Sequence, residues 1–107
     1  MNEIPGSSVV NTITFNGNGN TIEFTATNTN ERAVIKLNGA DHVIIDSLIV
    51  RALGKASGEY GFGVQFMNNA DSNVFKNSKV YIDFAGLSTS FAGIVINASA
   101  TGATTTG

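Results

Sequence analysis

Short apolar pairs, each apolar–any–apolar, recur along almost the whole chain and are separated by turns rich in Asn, Gly and Asp. They are Ile13 and Phe15; Ile22 and Phe24; Ile35 and Leu37; Val43 and Ile45; Leu48 and Val50; Val64 and Phe66; Val80 and Ile82; Ile94 and Ile96. Side chains alternate faces along extended backbone, so both members of a pair point the same way. Between them stand Asn16-Gly17-Asn18-Gly19, Asn38-Gly39-Ala40-Asp41 and Asn68-Asn69-Ala70-Asp71. Asn and Gly tolerate positive φ, and Asp hydrogen-bonds nearby backbone, so these segments read as turns. No window sustains the three-and-four apolar spacing of a helix.

The pairs also repeat at longer range. Ile13-Thr14-Phe15-Asn16-Gly17 matches Ile35-Lys36-Leu37-Asn38-Gly39 at an offset of 22 residues, and Ile22 and Phe24 match Val43 and Ile45 at 21. A second registration, at 30 residues, pairs Val34 with Val64, Asn38 with Asn68, Ala40 with Ala70, Asp41 with Asp71, Ile45 with Phe75 and Val50 with Val80. It carries Gly63-Val64 onto Gly93-Ile94 and Phe66 onto Ile96. Leu37 aligns with either Phe66 or Met67, because the second copy has an extra residue before its Asn-Ala-Asp turn.

A coil of about 22 residues cannot bury its apolar face alone; stacked on equivalent coils it gains a dry interior and partners for its backbone. The step from 22 to 30 is expected from a loop inserted at Arg51–Phe62. A second insertion near 84–90 falls at the same phase of the next coil, so both project from one face. With 107 residues the chain fits one domain. The expected division is a lead-in over 1–8, coils over 9–98, and a Thr/Gly/Ala-rich linker or incomplete coil over 99–107.

These repeats resemble the right-handed parallel β-helix proteins of the pectin-lyase-like superfamily. The resemblance is carried by Asn20-Thr21-Ile22, by Gly39-Ala40-Asp41-His42-Val43-Ile44-Ile45-Asp46-Ser47-Leu48 and by Asn69-Ala70-Asp71-Ser72-Asn73-Val74-Phe75-Lys76-Asn77-Ser78. They are similar in particular to coil repeats of large secreted surface proteins of Bacteroidetes-type bacteria. The resemblance implies an all-β right-handed parallel β-helix, a solenoid of about four short coils, in an extracellular or cell-surface setting. Met1-Asn2-Glu3-Ile4-Pro5 lacks the basic and apolar regions of a secretory signal, so such a signal is expected outside this piece.

Charged residues make up 13% of the chain and net charge is −2, with the cations scattered. Nothing would neutralise a run of phosphates, so nucleic acid is not an expected partner, and neither is membrane insertion. Cysteine is absent, which excludes disulfides and thiolate metal sites.

Candidate chemistry is sparse. Asp41-His42 is an acid–histidine neighbour pair, but adjacent extended residues face opposite ways, and Asp41 with Asp71 is better read as a turn-stabilising ladder. The Arg-rich stretch that accompanies an Asp-His pair in pectate lyases is missing. Asp46, Glu59, Asp71 and Asp83 lack the Asp-Asp pair and Gly-His-Gly segment of polygalacturonases, and read as surface carboxylates. Asn16-Gly17-Asn18-Gly19-Asn20 fails as a dinucleotide fingerprint, because Ile22 takes the third glycine position, and as a calcium β-roll, because Thr21 replaces the ligand Asp. Asn73 and Ser78 replace Val43 and Leu48 at inward positions and are expected to bond turn backbone or a stacked neighbour. Asn97-Ala98-Ser99 is an N-x-Ser/Thr sequon expected by chance in this composition, and the alternating Thr25, Thr27 and Thr29 have no equivalent row in the following coil, where Lys36 and Asn38 intervene.

The inserted loop carries the distinctive surface. Arg51, Lys55, Glu59 and Tyr60 are the expected binding residues, with Phe62 either beside them or in the core. No catalytic residue, metal ligand or cofactor is expected. The residues point to a non-catalytic structural, adhesive or glycan-contacting module, whose partners are a glycan or surface protein and adjacent modules of a parent chain. A fragment of a polysaccharide lyase or glycoside hydrolase, and a module stacking end to end on its own copies, are the alternatives.

Overall fold

Every apolar pair singled out above lies in or beside a strand. The computed structural model describes residues 1–86 and 88–98. Nine strands run through them: β1 (Ile13–Asn16), β2 (Thr21–Phe24), β3 (Ala33–Asn38), β4 (Val43–Asp46), β5 (Ile49–Ala52), β6 (Gly61–Met67), β7 (Val74–Lys76), β8 (Lys79–Ile82) and β9 (Phe91–Ile96). None of the described residues is helical.

The strands form three parallel three-stranded sheets, ordered β1-β4-β7, β2-β5-β8 and β3-β6-β9. The chain passes the three sheets in turn and then returns to the first, completing three such rounds. Each sheet thus holds three strands, where about four coils were expected. The round is 28–30 residues long: Ile13 pairs with Val43, Ile22 with Val50 and Ile35 with Val64. The 22-residue match is therefore not a stacking period. It relates β1 to β3, two strands of different sheets that end in the same Asn-Gly turn.

The 30-residue registration holds for Ile45 with Phe75, Val50 with Val80, Val64 with Ile94 and Phe66 with Ile96. It fails by one residue in β3, where Ile35, not Val34, lies opposite Val64, and Leu37 lies opposite Phe66. The extra residue sits in the turn instead. Asn68 and Asn69 are both left-handed there (φ 55° and 57°), and Asn68 Nδ2 donates to Asn38 Oδ1. An added residue absorbed in a turn leaves the inward row of the strand intact, whereas a slip within the strand would turn that row outward.

Left-handed residues bend the chain between sheets. Ser47 and Asn77 stand between the first and second sheets, and His42 and Ser72 between the third and first, all with φ between 54° and 57° except Asn77 at 50°. His42 thus serves as a turn residue, and Asp41 Oδ1 accepts from the Asp71 N–H at 2.7 Å, the ladder expected for that pair. Left-handed backbone is costly for most side chains and tolerated best by Gly and Asn.

Leu37, Ala40, Val43 and Ile45 form a buried cluster, flanked by Ile35, Leu48, Phe66, Ala70 and Phe75. Phe62 and Val64 are fully buried, so Phe62 belongs to the core. The two polar replacements behave as their chemistry demands. Asn73 Oδ1 accepts from Val43 N–H at 2.9 Å while its Nδ2 donates to Ala40 O at 2.7 Å. Ser78 Oγ accepts from Leu48 N–H at 3.0 Å and donates to Lys76 O at 2.7 Å. Both sew one round to the next where a hydrocarbon side chain could not. In the lead-in, Met1 lies along the outer edge of β3: its amino group donates to Lys36 O, and its carbonyl accepts from Asn38 N–H at 2.6 Å. The expected linker over 99–107 lies outside the described residues.

One close approach fixes the spacing of the rounds. A Cβ on Gly63 would stand 2.3 Å from Val80 Cγ1 and 2.5 Å from the Gly93 carbonyl oxygen, whereas a Cβ on Gly93 would meet only Val80 Cγ1, at 3.9 Å. Overpacking of this kind costs about 1–3 kcal/mol. Gly63→Ala should lower unfolding stability by that amount in denaturant melts, and Gly93→Ala should change it far less. Asn73→Ala strips two partners from backbone groups and should cost about 1–3 kcal/mol by the same measurement.

Candidate functional site

The connections between the second and third sheets are the long ones, at residues 25–32, 53–60 and 83–90, and all three lie at the same corner of the fold. The other corners are short and turn on one to three left-handed residues each. Side chains exposed at this corner therefore come from all three rounds.

Arg51 closes β5 on its exposed side and lies between Glu23 and Tyr81 in register. Its guanidinium grips Asp83 in two parallel bonds, Nε to Oδ1 and Nη2 to Oδ2, both 3.0 Å. Lys55 Nζ approaches the same carboxylate at 4.0 Å. Two of the expected binding residues are thus brought together by a third, Asp83. The hydrogen bonds and charge of Asp83 hold the Arg51 guanidinium above its ordinary pKa. Asp83 lies two residues beyond Tyr81, on the same side of the chain as the residue opposite Arg51. The pairing spans 32 residues, whereas the 30-residue offset sets Tyr81 opposite Arg51, so the sequence repeat did not single out Asp83, which reads as one surface acid among several.

Glu59 has a different task. Its Oε2 accepts from the N–H groups of Lys55 and Ala56, both at 2.8 Å, closing the loop on itself. Those two backbone donors favour the charged carboxylate and lower its pKa from the ordinary 4.5. Tyr60 is half-buried: Arg32 Cζ lies 4.0 Å above its ring centroid, and its hydroxyl meets Thr29 Oγ1 at 3.2 Å. Arg32 is itself nearly buried, donating through Nε to Thr29 O at 2.8 Å and through Nη1 to Ser90 Oγ at 3.4 Å. Tyr60 thus fastens the first-round loop to the second, and Gly54 lets the loop close, since a Cβ there would stand 2.5 Å from Tyr60 O. Sequence reasoning missed the Arg32–Tyr60 stack because the two residues lie in different rounds with no repeat linking them.

Beyond this clamp, Phe84 and Phe91 stack face to face, with centroids 4.0 Å apart and planes 10° from parallel. They line a shallow cleft of about 260 Å³ together with Lys55, Ser57, Glu59 and Tyr60. The cleft combines an apolar aromatic surface with a cation and hydroxyls. The remaining carboxylate with a perturbed pKa is Asp46, which lies on the first sheet. Bonds from Asn77 Nδ2 at 3.1 Å and Ser47 Oγ at 2.9 Å, with Lys76 Nζ at 3.7 Å, hold it below its ordinary 3.8. Among the described residues no three His, Cys, Asp or Glu side chains come together as a metal-binding set.

No protein-family model, curated protein or solved structure matches the chain.

Glu59 has a depressed folded-state pKa, so its bonds to the loop are present above the unfolded value and are lost as pH falls through the folded one. The Lys55 and Ala56 amide resonances should titrate together with a midpoint below 4.5, and Glu59→Gln should remove that step. A midpoint at or above 4.5 would show that the loop does not hold the charged carboxylate.

Proposed function

We propose that the chain is a stretch of right-handed parallel β-helix, similar to the pectin-lyase-like repeats of secreted bacterial surface proteins, and that it is a non-catalytic module displaying one corner for glycan contact. The observation that carries this reading is the cleft beside the stacked Phe84 and Phe91, built where the long connections of successive rounds converge. Aromatic faces cover the apolar side of a sugar ring, while neighbouring hydroxyls and a cation bond its rim. The scaffold supports the role: each round is held to the next through backbone pairing and side-chain ladders, so a loop can vary without disturbing the strands.

The three-sheet, three-round parallel arrangement supports the β-helix reading, with the rounds as its coils. An extracellular or cell-surface location belongs to the same proposal, as does a partner among glycans or glycan-bearing surface proteins. A lyase or hydrolase fragment is less well supported. Asp46 and Asp83, the carboxylates such an enzyme would use, are each engaged with a cation and with hydrogen-bond donors.

A glycan array probed with the whole chain tests the proposal. Binding to a defined set of glycans is expected, weakened about tenfold or more, worth about 1.4 kcal/mol, by Lys55→Ala or Phe84→Ala. Tyr60→Ala should act mainly on stability, since Tyr60 joins two loops. A folded chain that binds no glycan would remove the glycan reading. Turnover of pectin- or alginate-type polymers, abolished by Asp83→Asn, would replace it with the enzymatic one.

A further inference from the structure

Among the described residues, both ends of the stack expose apolar side chains. Among the described residues no strand pairs with the outer edges of β1, β2 and β3 or of β7, β8 and β9, and Met1 alone bonds to the outer edge of β3. At the first end, the inward residues Phe15, Ile22 and Phe24 are 47%, 41% and 47% exposed. Phe15 and Ile22, together with Met1, Ile35, Ile45 and Leu48, line an apolar hollow of about 490 Å³. At the other end Ile94 and Ile96 are 54% and 71% exposed, although their partners Val64 and Phe66 lie within the stack. Open strand edges beside exposed apolar side chains are sites for pairing with another chain.

We propose that a second copy of this chain covers each end, the β7-β8-β9 face of one copy docking head to tail on the β1-β2-β3 face of the next. The proposal rests on the β-helix reading above and adds its partner. Strand lengths match in two sheets, six residues in β3 and β9 and four in β2 and β8, and differ by one in the first, four in β1 against three in β7. Continuing the observed register extends each inward column: Ile22, Val50 and Val80 lead to Ile22 of the next copy, and Ile35, Val64 and Ile94 to its Ile35. The outer rows meet without like charges. Lys76 falls opposite Asn16 and Lys79 opposite Thr21, while Tyr81 falls opposite Glu23. The first edge is receptive to extended backbone, since Met1 already bonds there to Lys36 and Asn38; an incoming β9 takes over those two bonds. A head-to-tail contact of this kind does not close on itself, so it generates chains of copies.

The chain has no cysteine, so single cysteines report the contact cleanly. A Thr21→Cys protein and a Lys79→Cys protein are mixed and treated with a short bifunctional maleimide. A Thr21→Cys/Ile49→Cys protein reports the register within one chain, because Thr21 and Ile49 are paired neighbours. The expected result is internal linkage of the double variant and 21-to-79 linkage between chains, exceeding 21-to-21 and 79-to-79 products about tenfold or more. Ile96→Asp in the Lys79→Cys protein should reduce that linkage by a similar factor, since burying an unpaired charge is costly. Internal linkage with no 21-to-79 product overturns the proposal and leaves further strands of the same polypeptide as the cover. Predominant 21-to-21 or 79-to-79 linkage overturns it in favour of head-to-head pairing. Failure of the internal link removes the β-helix register, and the proposal falls with it.

Discussion

A parallel strand finds its backbone partners only on a strand reached by a long return, and here that return takes 28–30 residues through two other sheets. No local hairpin can substitute, because a two-residue turn makes antiparallel neighbours. Each strand's hydrogen bonds therefore depend on the chain completing its whole round in register. The rest of the molecule is arranged to keep that register: left-handed residues at the short corners, a glycine where Gly63 passes under Gly93, and the longest loops confined to a single corner.

Side-chain ladders reinforce the same constraint. Asp41 reaches the Asp71 amide, Asn73 reaches back to the Val43 amide and Ala40 carbonyl, and Ser78 receives the Leu48 amide. Each bond joins positions about one round apart and falls at a corner, where backbone pairing lapses and unsatisfied groups would otherwise be buried. A polar side chain on an apolar row is then as informative about register as the apolar residues around it. The long corner uses another device: Arg32 stacked on Tyr60, and Arg51 gripping Asp83, tie the loops of different rounds to one another. Binding groups can stand on such a corner because the ties hold the loops and the strands hold the ties.

Much of this was legible in the residues. Alternating pairs located the strands, with Leu48 just outside β5 and Phe75 alone in β7. The 30-residue offset carried true partners from Ile45 to Ile96, and the roles of Asn73 and Ser78 followed from a polar residue on an inward row. The 22-residue match misled because strands of one round share their grammar with strands of the next: apolar alternation closed by Asn-Gly looks the same in β1 and β3. Val34 displaced Ile35 in the expected column because Val-to-Val identity outweighed the turn's capacity to hold an extra Asn. At the corner, Arg51 and Lys55, expected together in one loop, both approach Asp83. Glu59 and Tyr60 were read as surface but are engaged within the corner, since their partners are backbone amides and an arginine that no repeat singles out.

The register itself is the point on which all of this turns, and methyl-to-methyl NOEs measure it directly. In a sample with labelled Ile and Val methyls, Ile35 should show strong contacts to Val64, and Val64 to Ile94, with Val34 giving little or none to Val64. Strong Val34-to-Val64 contacts would shift β3 by one residue. The absence of contacts along the whole column would contradict the stacking of successive rounds.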